Sequence, residues 1–231
     1  MIKLLFIEDD ATLSYIVKSM LEEVTGDYEV LLAANGKEGL EILSKTTPDV
    51  IVTDIEMPEM NGLEMVEKIR ELNRHIPVLF ASGRKTSKDV TAGYDAGANN
   101  YIKKPFLPQE LDSHIKGLLK FYNNQPAREK EVYELGKYKF YPRHYYLEYQ
   151  SKKTQLTSTE SQILGLLCEN TGNVVNRTEI LAKFWPVDYD TKYTSRSLDV
   201  FIGNLRRCLS EDKSVSIRTV KKVGLILEVE K

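Results

Sequence analysis

The sequence predicts an α/β fold with a five-stranded parallel sheet over the first half of the 231-residue chain, and a smaller α+β unit behind it. Three observations carry this reading. Short apolar runs alternate with stretches of helical spacing five times before residue 121. After residue 132 the pattern changes to closely spaced, aromatic-rich runs followed by helices. Charge also reverses: residues 1–121 hold 14 basic and 20 acidic side chains, whereas residues 122–231 hold 18 and 14. The expected organisation is therefore a domain at 1–121, a polar linker at 122–131 and a second domain at 132–231.

Each element has its own signal. Ile2–Ile7 is an apolar run that stops at Glu8-Asp9-Asp10, so it reads as a first strand. Leu13, Ile16, Val17, Met20 and Leu21 give helical spacing over Thr12–Val24. Tyr28–Ala33 is a strand, Gly36–Leu43 a short helix and Val50–Thr53 a strand after Pro48. Leu63, Val66, Ile69 and Leu72 mark the next helix, and Pro77–Ala81 the next strand. Thr86–Ala96 is a weakly amphipathic helix, Tyr101-Ile102 a short strand and Pro108–Phe121 a last helix. Such β–α alternation buries a parallel sheet on both faces and puts ligand chemistry at the carboxyl ends of its strands.

In the second half, Asn123-Asn124-Gln125-Pro126 is polar and turn-rich. Tyr133–Leu135, Tyr138–Tyr141, Tyr145–Tyr149 and Thr154–Leu156 read as antiparallel strands. Thr157-Ser158-Thr159-Glu160 is a capping box for a helix through Ile163, Leu166 and Leu167. Asn176 caps a second helix that ends at Trp185-Pro186. A third helix spans about Ser195–Leu209, and Ser216–Val229 is a hairpin turning near Gly224.

Composition narrows the class. With 42% hydrophobic and 29% charged residues, the chain is neither disordered nor fibrous. Cys168 and Cys208 are too few for a disulfide framework and fit a reducing, cytoplasmic setting. The first apolar run is too short for a targeting segment or a membrane span.

Four strand ends carry reactive groups. The first ends at Glu8-Asp9-Asp10, the third at Asp54 and the fourth at Ser82. The fifth runs into Lys103-Lys104-Pro105. Clustered carboxylates at one rim suit Mg²⁺, a hard cation with oxygen ligands. A carboxylate beside it can attack a phosphoryl group, and a hydroxyl and an ammonium can hold the phosphoryl oxygens. Any one of these residues alone reads as a surface group at a loop end; their agreement at four strand ends does not.

These residues resemble a response-regulator receiver domain over the whole first half. The resemblance is carried by Leu4-Leu5-Phe6-Ile7-Glu8-Asp9-Asp10, Asp54 through Gly62, Pro77 through Ser82, and Tyr101-Ile102-Lys103-Lys104-Pro105-Phe106. It implies a flavodoxin-like, doubly wound sheet, with Glu8 and Asp9 as the acidic pair and Asp54 as phosphoacceptor. Mg²⁺ would lie on Asp9, Asp54 and the backbone carbonyl of Glu56. Ser82 and Lys104 would contact the phosphoryl group, Pro105 would follow a cis bond, and Tyr101 would be the switch aromatic. Asp10 stands one place beyond the pair and is not expected to be a ligand. Glu56 and Arg84 would flank the path of the hydrolytic water and form an ion pair over the phosphoryl group.

Arg196, Arg206 and Arg207 sit on the third helix of the second half, opposite Leu198, Ile202, Leu205 and Leu209. A helix of this kind can enter a major groove, although charge alone favours an ordinary surface helix. Leu156–Glu160, Asn176–Leu181, Ser195–Ile202, Leu205-Arg206-Arg207 and Ile217–Val220 resemble an OmpR/PhoB-type winged-helix domain. That resemblance implies DNA contacts from Arg196, Ser197 and Arg206, with Lys221 on the wing. Gly203-Asn204 and Leu225-Ile226 depart from the family pattern, as do Asn99-Asn100 and His114. Asn204 is expected to contact an adenine edge.

Together the resemblances imply a phosphorylation-controlled transcription regulator and not an enzyme. Its phosphoryl donor would be a sensor histidine kinase, and its targets double-stranded promoter DNA, with RNA polymerase a further partner and no membrane association. Family members dimerise through the Thr86–Ala96 helix, the Tyr101 strand and the Pro108–Phe121 helix. With Asn100 and His114 at positions of an intersubunit ion pair, a weak dimer on phosphorylation is expected. Two other classes remain at this point. An aspartate-nucleophile phosphohydrolase would carry a second Asp where Glu56 stands. A signalling adaptor would use the second half to bind protein or RNA.

Overall fold

The computed structural model describes residues 1–72, 75–83, 92–123, 131–185 and 191–230. The chain divides into two compact units, Met1–Asn123 and Asn124–Lys231.

In the first unit β1 (Ile2–Ile7), β2 (Tyr28–Ala33), β3 (Val50–Thr53), β4 (Val78–Ser82) and β5 (Asn100–Lys103) form one parallel sheet. Its order is β2-β1-β3-β4-β5. The strand period of two sends Leu4 and Phe6 into one core and Leu5 and Ile7 into the other. The first core is closed by Val17, Leu21, Leu111 and Ile115, and the second by Met65, Val66 and Ile69. Val17 lies on α1 (Ala11–Ser19), Leu21 just beyond it, Leu111 and Ile115 on α4 (Pro108–Asn123), and Met65, Val66 and Ile69 on α3 (Gly62–Glu71); α2 (Gly36–Lys45) adds Leu43 to the second core. Residues 84–91 lie outside the described residues, and with them most of the expected Thr86–Ala96 helix; residues 92–95 are helical. The expected linker at 122–131 begins inside α4, and residues 124–130 also lie outside the described residues.

The expected Thr12–Val24 helix changes character at Met20. Beyond α1 the chain takes a π-turn over Met20–Thr25 and stops at Gly26, whose φ of 74° suits glycine. Glu22 in this turn accepts the Val30 N–H at 2.7 Å, and Lys18 donates to the Val30 carbonyl at 2.7 Å. Both outward-facing backbone groups of Val30, on the edge strand β2, are thereby occupied.

Asn100 and His114 are not on a rim. They are 7% and 1% exposed. This burial corrects the expectation that they stand on an exposed rim. Neighbouring Asn99 is also internal. Its Oδ1 accepts from Val78 N–H at 2.8 Å and from Arg70 Nη2 at 3.2 Å, and its Nδ2 donates to the Tyr122 hydroxyl at 2.6 Å. The Arg70 guanidinium also reaches the carbonyls of Gly97 and Ile76. A neutral amide at residue 99 thus serves a cation that is met by dipoles.

Burial pushes the His114 imidazole down to about 4 from its ordinary 6.5. Between these values the unfolded chain binds a proton that the folded chain does not. Stability is therefore expected to fall as pH drops from 6.5 to 4, by roughly 3 kcal/mol in full. Urea unfolding at pH 7 and pH 4.5 measures this, and His114→Phe is expected to flatten the dependence.

The second unit opens with an antiparallel sheet, β6 (Tyr133–Leu135), β7 (Tyr138–Tyr141), β8 (Tyr146–Tyr149) and β9 (Lys152–Gln155). Cross-strand aromatic pairs hold it, with Tyr141 and Tyr146 stacked at 4.5 Å. Helix α5 (Ser158–Glu169) starts at a complete capping box, Thr157 with Glu160. Helix α6 (Arg177–Phe184) has Asn176 at its N-cap position, but the Asn176 side chain makes no cap bond, which corrects that expectation. Helix α7 (Thr191–Cys208) is followed by β11 (Val215–Val220) and β12 (Gly224–Val229). The unforeseen strand β10 (Val174–Asn176) pairs with β12, giving the order β10-β12-β11. A Cβ on Gly224 would overlap the Val175 carbonyl oxygen, so this close pairing needs glycine there.

Candidate acidic centre and nucleic-acid interface

The parallel register brings the reactive strand ends to one rim. Ile7 lies beside Thr53, Thr53 beside Phe80, and Ser82 beside Lys103. Backbone bonds extend this order by one residue: Asp54 N–H donates to the Ile7 carbonyl and Lys104 N–H to the Ser82 carbonyl, each at 3.0 Å. Glu8, Asp54, Ser82 and Lys104 are therefore placed by the sheet itself.

Asp54 is held at both oxygens. Its Oδ1 accepts from Ile55 N–H at 2.5 Å and from Glu56 N–H at 3.3 Å. Its Oδ2 accepts from Lys104 Nζ at 2.5 Å. The same ammonium bonds Glu8 Oε2. Burial pushes the Glu8 carboxyl up, against the pull of Lys104. Burial also opposes the charge on Lys104, but its bonds to Asp54 and Glu8 outweigh this and leave its pKa raised.

Asp9 completes the group. Ligand atoms of Glu8, Asp9 and Asp54 lie within 4.8 Å of one another. Three carboxylates and one ammonium leave an excess of negative charge, and the all-oxygen donor set fits a hard dication. Asp10 is not in this group: its carboxylate caps α1, accepting from Thr12 and Leu13 N–H at 2.8 and 3.1 Å. A cleft of about 420 Å³ opens beside the group, lined by Asp9, Ile55, Glu56, Met57, Pro58 and Asn61, with Leu63 at its end.

Ser82 is 1% exposed at the end of β4. Tyr101 is partly buried and packs against the core that holds Phe80, Ala96 and Ala98. The Lys104–Pro105 bond is cis. Arg84 lies outside the described residues, so its expected pair with Glu56 is not described. The structure adds two residues to whose roles the sequence reading gave no weight. Asn61 caps α3 through Glu64 N–H at 2.9 Å. Gly62 donates to the Ile55 carbonyl at 3.0 Å. The Asn-Gly pair after Met-Pro is a turn signal that points to both.

In the second unit α7 buries Leu198, Phe201, Ile202 and Leu205, with Leu209 just beyond its end, and exposes Arg196, Asp199, Gly203, Arg206 and Arg207. Ser197 is 2% exposed, which corrects its assignment as a DNA contact: it faces the core side of the helix. Arg206 is exposed but tied to β11, with Nε donating to the Ile217 carbonyl at 2.8 Å and Nη2 to Thr219 Oγ1 at 2.9 Å. Asn204 is half-buried, and its Oδ1 accepts from Arg207 Nη2 at 3.1 Å. Lys221 is exposed in the turn between β11 and β12. Leu225 and Ile226 lie in β12 and are buried, so they serve the core and not the wing tip. Cys168 is buried; Cys208 is partly exposed, and burial pushes its thiol up to about 11, away from nucleophilic chemistry.

Comparison with known proteins covers both units. Residues 4–116 match the response regulator receiver domain family, and residues 151–227 match the family described as transcriptional regulatory protein, C terminal. The chain is 31% identical to the transcriptional regulatory protein RprY of Bacteroides fragilis, over 96% of this chain and 93% of that one. It is 31% identical to the response regulator MprA of Mycobacterium leprae, over 97% of each. Among solved structures, the response regulator DrrB of Thermotoga maritima, an OmpR/PhoB homologue, is 26% identical with a TM-score of 0.51 over 99% of both chains. A RitR mutant, 21% identical, shares the fold with a TM-score of 0.76 over the full length of both. The phosphohydrolase and adaptor readings are not favoured. A flavodoxin-like receiver followed by a winged-helix domain, with full-length relatives of the same composition, places this chain among the OmpR/PhoB-family response regulators, transcriptional regulators of two-component systems.

Proposed function

We propose that Asp54 accepts a phosphoryl group from a sensor histidine kinase and that this change governs binding of the winged-helix domain to promoter DNA. The observation that carries the proposal is the Lys104 ammonium shared between Asp54 and Glu8 at the rim. Beside that ammonium Asp54 takes two backbone N–H bonds, from Ile55 and Glu56, whereas Glu8 takes one long bond of 3.5 Å from Asp10 N–H, which supports Asp54 as the acceptor. In the transfer, the P–N bond of a phosphohistidine breaks as an Asp54 oxygen forms the new P–O bond. Glu8, Asp9, Asp54 and the Glu56 carbonyl would hold Mg²⁺, which supplies charge neutralisation for the incoming phosphoryl oxygens. Lys104 and Ser82 hold those oxygens, and Tyr101 repacks when Ser82 turns toward them. Autodephosphorylation at Asp54 is the only further chemistry this assigns.

Arg196, Arg206 and Lys221 supply positive charge toward DNA phosphates, and Asn204 lies on the same helix as the first two. With its Oδ1 on Arg207, Asn204 presents its amide hydrogens, which favours a base acceptor over the bidentate adenine contact expected from sequence. The protein is read as cytoplasmic; among the described residues no helix is long and apolar enough to cross a membrane. A weak dimer forms on phosphorylation, through surfaces other than Asn100 and His114, and RNA polymerase is the further partner.

The test is a duplex-DNA titration with and without acetyl phosphate and Mg²⁺. Phosphorylated protein is expected to bind a selected duplex at least tenfold more tightly, with affinity falling as salt rises. Equal affinities would overturn phosphorylation control.

A further inference from the structure

Gly203 stands at the middle of the exposed stripe of α7. A Cβ built there meets nothing within 4 Å. This separates it from Gly62 and Gly224, where a neighbouring backbone excludes any side chain. Glycine inside a helix is less stable than alanine, so the fold gains nothing from Gly203. The remaining use of glycine at such a place is close approach of the backbone to another molecule.

The surroundings point to what approaches. Arg196 lies two turns before Gly203, and Arg206 and Arg207 one turn after; all three are exposed. Asp199, the acidic residue on the same stripe, is answered by Arg177 at 2.8 Å. Arg206 is held against β11 by two bonds, and Arg207 bonds Asn204. A bare length of helix backbone is thus flanked by guanidinium groups, two of them anchored.

We propose that Gly203 is the point where the α7 backbone meets the base-pair edges of duplex DNA, and that its missing side chain sets the depth of docking and hence the sequence bound. The flanking arginines take phosphates on either side of the groove. Close approach also brings the short Asn204 carboxamide within reach of a base edge, which a longer side chain at 203 would prevent. This inference rests on reading the second unit as a duplex-DNA-binding domain.

The experiment uses the full chain. Wild type, phosphorylated with acetyl phosphate, selects duplexes from a random pool. Wild type and Gly203→Ala are then titrated with the selected duplex and with a random-sequence duplex, and their thermal midpoints are measured. Gly203→Ala is expected to unfold a few degrees higher, because alanine is the better helix former. Its affinity for the selected duplex is expected to fall about tenfold, the size of one lost base-edge contact, and its affinity for random duplex to stay within twofold. Undiminished binding of the selected duplex by the variant would overturn the proposal, as would equal losses on both duplexes. A lower midpoint would also overturn it, since the fold would then need the glycine. Failure of wild type to bind any duplex would overturn the DNA reading itself, a distinct outcome.

Discussion

Asp54→Asn is expected to remove acetyl-phosphate labelling to below detection, while the folded receiver persists. The amide keeps an oxygen in the place of Oδ1, so the bonds from Ile55 and Glu56 N–H survive. Lys104 loses one of two carboxylate partners and keeps Glu8. What disappears is the nucleophilic carboxylate, for which a neutral amide is no substitute. Glu8 is 4% exposed and engaged by Lys104, which leaves it poorly placed to take over. Asp9 is exposed, and it is the residue an unexpected adduct would implicate. Intact-mass measurement after incubation with Mg²⁺ and acetyl phosphate checks the result; labelling equal to wild type would move the phosphoacceptor elsewhere.

Gly62→Ala is expected to damage stability and phosphorylation together. The added Cβ would overlap the Asp54 carbonyl oxygen and come within 3.1 Å of the Phe80 ring. The obstructing atom is backbone, so no rotamer change relieves it. Either α3 shifts or the Asp54 peptide does, at a cost of about 3 kcal/mol. Gly83 supplies the contrast, since a Cβ there meets nothing within 4 Å. Gly83→Ala is expected to change stability by less than about 1 kcal/mol. Urea unfolding and the initial rate of labelling measure both variants. A Gly62→Ala protein as stable as wild type would show that the turn yields more easily than the packing indicates.

The acidic centre was legible because its residues sit at strand ends, where apolar runs stop abruptly. Leu4–Ile7 and Val50–Thr53 are fully apolar or β-branched, and Glu8 and Asp54 follow them directly. Position in a parallel sheet then does the rest. The burial of single polar residues was less legible. Asn100 and His114 are polar, and polar residues are usually exposed, yet both pack inside. Ser197 was misplaced for a related reason: one helical position, about 100°, separates it from exposed Arg196. The bonds from Arg206 to β11 span a sequence gap that no local pattern encodes. The π-turn at Met20–Thr25 keeps an apolar spacing close to that of a normal helix, so periodicity runs through it unchanged.

The cover over Val30 has a consequence for how the protein behaves when crowded. β2 is an outer strand of six residues, and an open outer strand is a template on which another chain can add itself. Lys18 and Glu22 fill both hydrogen-bonding positions near its midpoint, and their mutual ion pair of 3.3 Å keeps them there. An incoming strand would have to displace two charged side chains and leave them unsatisfied. What remains open on either side is shorter than a usual strand, too little to nucleate cross-chain pairing. A crowded receiver is thereby protected from fibrous stacking along this edge of its sheet.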